Sequence, residues 1–188
     1  MRLSDVLAGV PGVNISGNPE DNISGISYSS KATHPGDLFA ALKGEKTDGY
    51  NFIEEAVDQG AIAILSEREK PENFPKTWIQ TLDSRVALAL CAANLYEHPS
   101  QKLKVVGITG TKGKTTITYI LEEILKKADL KTGVIGTISY RGPGTQQIAE
   151  RTTPEAPDLQ RMMREMVDSG ATHCVMEVSS HSLDLDRV

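Results

Sequence analysis

The chain has 188 residues, of which 20 are Lys or Arg, 25 are Asp or Glu and 39% are hydrophobic. This composition predicts a globular protein and excludes a disordered one. The acidic balance argues against a dedicated nucleic-acid binder, because neutralising phosphates requires an excess of Lys and Arg. No apolar run is long enough to span a bilayer, and the first residues lack the pattern of a signal peptide. Cys91 and Cys174 lie in apolar segments, which predicts buried, reduced thiols and a cytoplasmic protein.

A domain boundary is predicted near residue 100. Residues 1–100 carry an acidic excess, whereas residues 101–188 are nearly balanced in charge. The change coincides with the polar, proline-containing stretch 98–102, which is typical of a linker. We therefore expect one domain over 1–100 and a second over 101–188.

The first region alternates short strands and helices, which predicts a small α/β domain. Apolar runs at 38–42 and 61–65 are typical of buried strands. Asp48 is placed to cap a helix that puts Phe52, Ile53, Ala56 and Val57 on one side, and Gly60 follows as its stop signal. A longer helix, capped by Asp83, is predicted through Val86, Leu90 and Leu95.

The second region predicts three parallel strands joined by helices. The strands are expected at 103–108, 132–139 and 172–178, with helices between them. The first helix should run from Lys114 to Ala128. Its apolar stripe has helical spacing and consists of Ile117, Ile120, Leu121, Ile124, Leu125 and Ala128. The second helix carries a stripe made of Leu159, Met162, Met163, Met166 and Val167. A three-stranded parallel sheet is small, so a truncated domain is expected.

The segment 107–116, between the first strand and helix of the second region, is a candidate phosphate-binding loop. Its glycines allow the backbone to approach phosphate oxygens, and N–H groups at the helix start point at the anion. Lys114 would reach the β- and γ-phosphates, and the Thr115 hydroxyl would bind Mg²⁺. The common motif has a glycine five residues before Gly113, where this chain has Ile108. The alternative is a glycine-rich turn with a solvated lysine.

Four segments together resemble the Mur ligase family, and within it the MurE type, the UDP-N-acetylmuramoyl-tripeptide synthetases. The loop 109–116, TGTKGKTT, is similar to the shortened ATP loop of these enzymes. The segment from Tyr28 to Gly49 resembles their UDP-sugar-binding domain. The other two are TTPE at 152–155 and MEVSSHSL at 176–183, followed by Arg187. The resemblance covers the whole chain, and the Glu-Val-Ser-Ser-His segment separates this type from the sister ligase that adds a dipeptide.

The resemblance implies an ATP-dependent ligase of peptidoglycan precursor synthesis. Its domains would be a UDP-MurNAc-binding part, 1–100, and the first part of the central ATP-binding domain, 101–188. ATP and Mg²⁺ would convert the free carboxylate of UDP-MurNAc-L-Ala-D-Glu into an acyl phosphate. The amine of meso-diaminopimelate or L-lysine would then attack it. The resemblance puts the remaining catalytic parts beyond Val188, so this chain alone is expected to be inactive. The protein is also expected to be a monomer and to bind no nucleic acid.

The resemblance also assigns residues to the site. The ATP loop would comprise Gly110, Thr111, Lys112, Gly113, Lys114, Thr115 and Thr116. Lys114 and Glu177 would be catalytic, with Thr115 and Glu177 sharing the Mg²⁺ ion. The alternative for Glu177 is an ordinary exposed glutamate. UDP-MurNAc-dipeptide contacts would come from Ser30, Glu45, Lys46, Thr47, Thr152, Thr153, Ser179 and Arg187.

Several positions depart from the family pattern, and other functions compete. Ser29, Lys31 and Leu185 stand where other members commonly have Asp, Arg and Gln. For His181, the sequence leaves two alternatives, a structural role and a role beside the substrate. A P-loop kinase or simple NTPase would have the full loop spacing and lack a UDP-sugar domain. A nucleotide-gated binding module would ignore the sugar nucleotide, and a folylpolyglutamate synthetase would share only the loop.

Overall fold

A computed structural model describes residues 1–44 and 47–188 as two compact units, Met1–Leu95 and Tyr96–Val188. Each unit combines helices with a β-sheet, so the predicted α/β class is confirmed. The functional division into 1–100 and 101–188 stays a prediction. Over the described ranges, every helix is too short or too polar to cross a membrane.

The N-terminal unit has a mostly parallel sheet. Its strands are β1 Asn14–Ser16, β2 Gly25–Ser27, β3 Asp37–Ala40, β4 Ala63–Ser66 and β5 Thr77–Gln80, and its helices are α1 Leu3–Val6, α2 Ile53–Asp58 and α3 Ser84–Leu95. The strand order is β1-β5-β4-β3-β2, with β1 antiparallel to β5 and the other pairs parallel. Every residue of β3 and β4 is buried, as expected for parallel strands covered on both faces.

The predicted helix caps of this unit are present. The Asp48 carboxylate accepts a hydrogen bond from the Tyr50 N–H at 2.9 Å, and the Asp83 carboxylate accepts bonds from two N–H groups at the start of α3. The helix after Asp48 begins with a 3-10 turn, Gly49–Phe52, ahead of α2. Because a 3-10 turn has a tighter repeat than an α-helix, Phe52 is 38% exposed and does not share the buried side of Ile53.

The C-terminal unit has a mixed sheet. Its strands are β6 Lys104–Ile108, β7 Thr132–Ile135, β8 Ser139–Gly142, β9 Thr145–Ile148 and β10 His173–Glu177, and its helices are α4 Lys114–Lys127, α5 Ala156–Asp168 and α6 Ser180–Asp184. The order is β6-β10-β7-β8-β9. The three predicted strands β6, β10 and β7 are parallel, as expected. The strand predicted at 132–139 is wrong in length, because β7 ends at Ile135 and Ser139 begins an antiparallel hairpin.

Of the two predicted apolar helix stripes, the one on α5 is buried and the isoleucines of the one on α4 are exposed. On α5, Leu159, Met162, Met163 and Met166 are all buried. On α4, Ile117, Ile120 and Ile124 are more than half exposed, and the buried residues are Thr118 and Glu122 instead. Helix α4 thus turns a polar side towards the sheet and leaves its isoleucines at the surface of this unit.

Both cysteines are buried and free, as predicted from their apolar segments. Burial raises the pKa of each thiol to about 12, so the reactive thiolate is scarce at neutral pH. We expect Cys91 and Cys174 to resist a disulfide reagent at pH 8 in the folded chain and to react within seconds to minutes in 6 M guanidinium. Counting released thiolate by absorbance measures this. Fast labelling of the folded chain would contradict the burial of these side chains.

Candidate active site

The loop between β6 and α4 has two glycines with positive φ angles and leads directly into the start of a helix. Gly110 and Gly113 have φ angles of +143° and +80°, which favour glycine, and Gly113 immediately precedes Lys114, the first residue of the helix. Thr111, Lys112 and Thr116 are exposed. The start of a 14-residue helix presents unpaired N–H groups and the positive end of its dipole. The loop can therefore receive phosphate oxygens from solvent.

Lys114 lies over this loop. Its Nζ donates a hydrogen bond to the Gly110 carbonyl oxygen at 2.6 Å. The contact holds the ammonium group beside the backbone that would surround a phosphate. A positive charge in that position neutralises phosphate oxygens, which is the chemistry predicted for this lysine.

Glu177, at the end of β10, is joined to the loop by Thr115. The Thr115 hydroxyl donates to Glu177 Oε2 at 3.0 Å, and the glutamate is only 1% exposed. The alternative of an ordinary exposed glutamate is therefore wrong. Strand β10 lies between β6 and β7, so its carboxyl end meets the loop that follows β6, as expected for parallel neighbours.

The remaining partners of Glu177 are neutral. Thr137 donates its N–H to Oε1 at 3.1 Å and its hydroxyl to Oε2 at 3.0 Å. Within 1–44 and 47–188, no Lys, Arg or His forms an ion pair with this carboxylate. A buried charge that receives only neutral donors is costly, and a carboxylate beside a hydroxyl offers the hard oxygen ligands of Mg²⁺. The residues therefore fit the predicted Mg²⁺ ion.

The rest of a magnesium coordination sphere would come from outside the protein. The described residues contain no group of three or more His, Cys, Asp or Glu side chains arranged for a metal. Mg²⁺ commonly takes one or two protein oxygens and completes its octahedron with phosphates and water. Thr115 and Glu177 therefore suit an ion that arrives with a nucleotide.

Three predicted substrate contacts are connected to Glu177 through its backbone carbonyl or through Thr137. The Thr153 hydroxyl donates to the Glu177 carbonyl oxygen at 2.9 Å and accepts from the Ser179 N–H at 3.2 Å. The Ser179 side chain accepts from the Ser182 N–H and caps α6. The Thr152 hydroxyl lies 3.1 Å from that of Thr137. The C-terminal unit thus brings Thr152, Thr153 and Ser179 to Glu177.

Arg187 is held in a buried ion pair. Its Nη2 lies 2.9 Å from Glu155 Oε1, and both side chains are at most 10% exposed. Its Nη1 also lies 3.5 Å from the Thr153 carbonyl oxygen. Glu155 therefore fixes the guanidinium near the threonine pair. His181 is exposed, and its role stays open.

Four of the predicted substrate contacts belong to the N-terminal unit. Ser30 is buried in a 3-10 turn, and its hydroxyl donates to Glu55 Oε2 at 2.7 Å. Thr47 is exposed, and its carbonyl oxygen accepts from the Gly44 N–H at 3.0 Å. Glu45 and Lys46 lie outside the described residues. The UDP-sugar roles of these four residues stay predictions.

Sequence reasoning missed Gly136 and Thr137, and it quoted Glu155 in the TTPE segment without giving it a role. Gly136 and Thr137 follow directly after β7, a neighbour of β10 in the sheet. The rule that selected Glu177, namely that ligands bind at the carboxyl ends of parallel strands, would have selected these two residues. The strand was predicted to continue to Ser139, which hid the turn.

We expect Gly136→Ala to displace the Glu177 carboxylate. A Cβ at residue 136 would lie 2.5 Å from Glu177 Oε1, so the flexible end of the glutamate would have to move. ADP affinity should then lose most of its dependence on Mg²⁺, while the thermal midpoint changes by only a few degrees. Titrations with Mg²⁺ and with EDTA measure this. Gly142→Ala, whose Cβ would meet only side chains of Thr145 and Met166, is the matched control and should keep the dependence.

Two family models match most of the chain. The Mur ligase family catalytic domain matches residues 22–96, and the Mur ligase middle domain matches residues 108–188. The chain belongs to the Mur ligase family. The second match covers the phosphate loop, Glu177 and Arg187, which form the site described above.

Curated Mur ligases resemble the whole chain. The UDP-N-acetylmuramoyl-L-alanyl-D-glutamate–2,6-diaminopimelate ligase of Alkaliphilus metalliredigens is 43% identical over 188 residues, and that of Caldanaerobacter subterraneus subsp. tengcongensis is 45% identical over 188 residues. The alignments cover 100% of this chain but only 38% and 39% of those relatives. The chain therefore spans well under half the length of the ligases it matches.

Solved Mur ligase structures share the fold. A UDP-N-acetylmuramoyl-L-alanyl-D-glutamate–2,6-diaminopimelate ligase superposes with a TM-score of 0.78 at 25% identity, covering 100% of this chain and 37% of its own. The MurF ligase of Thermotoga maritima, solved in complex with ADP, gives a TM-score of 0.57 at 30% identity over 83% of this chain and 32% of its own.

Proposed function

We propose that this chain supplies the sugar-nucleotide and ATP sites of a ligase that joins meso-diaminopimelate to UDP-MurNAc-L-Ala-D-Glu. The observation that carries the proposal is the buried Glu177 carboxylate, which the phosphate-loop residue Thr115 contacts at 3.0 Å. The names of the relatives support diaminopimelate over L-lysine as the amino acid added. We propose further that the protein is a cytoplasmic monomer that uses ATP and Mg²⁺.

In this proposal, the chain neutralises the negative charge of ATP and of UDP-MurNAc-L-Ala-D-Glu and orients the two molecules for reaction. The D-glutamyl carboxylate of the substrate attacks the γ-phosphorus of ATP, and ADP leaves. The amine of diaminopimelate then displaces phosphate from the acyl phosphate. Lys114 and the N–H groups of the loop stabilise the phosphate charge, and a bound Mg²⁺ would supply further charge neutralisation through Thr115 and Glu177. Arg187, whose guanidinium is paired with Glu155, would place positive charge near a substrate carboxylate or phosphate bound beside Thr153.

A titration tests the sugar-nucleotide part of the proposal. The purified chain should release heat with UDP-MurNAc-L-Ala-D-Glu and bind UDP alone more weakly. Ser30→Ala should weaken both ligands, whereas Ser4→Ala, in the short helix α1, is the matched control. A kinase, a simple NTPase, a nucleotide-gated module or a folylpolyglutamate synthetase would ignore the sugar nucleotide, so absence of binding would favour one of those classes.

A chimera tests the ligase reaction. This chain would replace the matched N-terminal 38% of the Alkaliphilus metalliredigens ligase, and ATP-dependent incorporation of radiolabelled diaminopimelate would be measured. We expect product from the chimera and none from the isolated chain. Product from the isolated chain would contradict the expectation that the remaining parts of the ligase are required. A folded chimera that binds both nucleotides and makes no product would contradict the proposed reaction.

A further inference from the structure

Thr137 contacts both Glu177, the carboxylate proposed to bind the metal ion, and Thr152, in the segment 152–153 proposed to bind substrate, called the substrate loop below. Its backbone N–H and its hydroxyl bond to different oxygens of Glu177, at 3.1 and 3.0 Å. The same hydroxyl lies 3.1 Å from the hydroxyl of Thr152. Two donors from one residue restrict the plane of a carboxylate in a way that a single donor cannot. Thr137 therefore fixes the direction of the Glu177 oxygens together with Thr115, and it alone of the two contacts both oxygens.

The direction of these hydrogen bonds follows from the number of protons. A threonine hydroxyl has one proton and two acceptor lone pairs. The Thr137 proton goes to the ionised Glu177 carboxylate, because a charged acceptor forms the stronger bond. The Thr152 oxygen is the second acceptor within reach of the same proton, and it competes with the carboxylate for it. Thr137 thus contacts both Thr152 and Glu177, and Thr115 donates to the same Glu177 oxygen as the Thr137 hydroxyl.

We propose that Thr137 is a positioning residue that holds Glu177 for the metal ion and links it to the substrate loop through Thr152. The inference rests on the proposed function, since it assumes that Glu177 and Thr115 bind Mg²⁺ with a nucleotide. Removing a partner that orients a metal ligand typically costs about 10- to 100-fold in metal affinity. The hydroxyl of Thr137 is the part of the residue that a side-chain substitution can remove.

The experiment compares ADP affinity in the presence of Mg²⁺ with ADP affinity in EDTA. The ratio of the two isolates the metal contribution, because damage to the fold or to the loop would lower both affinities together. In the 188-residue chain, Thr137→Val should reduce this ratio by about 10-fold and leave the EDTA affinity unchanged. Thr137→Ser retains the hydroxyl and should restore the ratio. Thr152→Val removes the competing acceptor, leaves the Thr137–Glu177 bond in place and should keep the ratio.

The outcomes separate this inference from the proposed function. If the unsubstituted chain binds ADP more tightly with Mg²⁺ and Thr137→Val keeps the full ratio, the positioning role is wrong while the nucleotide site stands. If the unsubstituted chain shows no Mg²⁺-dependent binding, both are wrong. Should Thr137→Val fail to fold by circular dichroism, Thr137→Ser and Thr152→Val decide the question. A Thr137→Ser ratio that falls to one, meaning equal ADP affinity with Mg²⁺ and with EDTA, would then overturn the proposal. A 10-fold fall of the ratio in Thr152→Val would also overturn it.

Discussion

Lys114→Ala should weaken ADP binding to this chain by about 50-fold, since a hydrogen bond to a charged group contributes about 1.5–3 kcal/mol. The lysine ammonium is held over the loop by its bond to the Gly110 carbonyl oxygen, at 2.6 Å. A phosphate can replace that carbonyl as the acceptor with little movement of the side chain. Alanine leaves the N–H groups of the loop and the helix dipole in place, so weak binding should persist.

Lys127→Ala is the matched control for charge. Lys127 is the exposed last residue of the same helix, and its removal changes the net charge by the same amount as Lys114→Ala. We expect its ADP affinity to stay within about twofold of the unsubstituted chain, because exposed charges beyond a Debye length are largely screened. Fluorescence anisotropy of a labelled ADP measures both variants. Equal affinities for Lys114→Ala and Lys127→Ala would contradict the assignment of the phosphate loop.

The phosphate loop was predictable because its signal is local in sequence. Glycines at 110 and 113, followed at once by Lys114, satisfy requirements of backbone conformation and charge that involve few distant residues. The position of Glu177 was predictable from sheet topology, since strands alternating with helices place their carboxyl ends at one edge. Both signals can be read from the sequence without knowledge of side-chain packing.

The environment of the first long helix was not predictable in the same way. Periodicity identifies the apolar side of α4 but says nothing about which side meets the sheet. In the structure, Ile117, Ile120 and Ile124 are exposed while Glu122 is 4% exposed. The burial of Glu122 depends on Arg141, a residue of β8 that is distant in sequence. The hairpin that carries Arg141 was itself missed, because the exposed β9 sequence Thr145–Ile148 lacks an alternating apolar pattern.

Glu122, which is buried, and Arg141, which is half-buried, form an ion pair that connects α4 to β8. Arg141 donates to both carboxylate oxygens of Glu122, its guanidinium lies 4.6 Å from the centre of the Tyr119 ring, and Lys126 adds a contact of 3.1 Å to Glu122. Burial opposes the charged form of Glu122, but hydrogen bonds from Arg141 and Lys126 outweigh it, so its pKa lies below the ordinary value. The pair therefore stabilises the fold when Glu122 is ionised.

Arg141→Met should destabilise the C-terminal unit by about 3 kcal/mol, because removing one partner leaves a buried charge with insufficient compensation. Lys126 cannot replace Arg141, since it is 54% exposed and contributes a screened interaction. The double variant Glu122→Leu with Arg141→Met removes both charges and should recover much of the loss. Urea unfolding followed by far-ultraviolet circular dichroism measures these differences, and the fluorescence of Trp78, the single tryptophan, reports the N-terminal unit separately.

The pH dependence of stability provides the sharper test of this ion pair. Because the folded pKa of Glu122 is lowered, its contribution is fully present above the unfolded pKa, near 4.3, and is lost as the pH falls through the folded pKa. The unsubstituted chain should therefore lose stability more steeply below about pH 5 than Glu122→Gln, which has no carboxylate to protonate. Arg141→Met should also flatten this slope, since the cation that lowers the pKa is gone. An unchanged acid slope in both variants would show that the pair contributes no net stability. The same conclusion would follow if Arg141→Met lowered the free energy of unfolding at pH 7 by less than about 0.5 kcal/mol, the effect of an ordinary surface substitution.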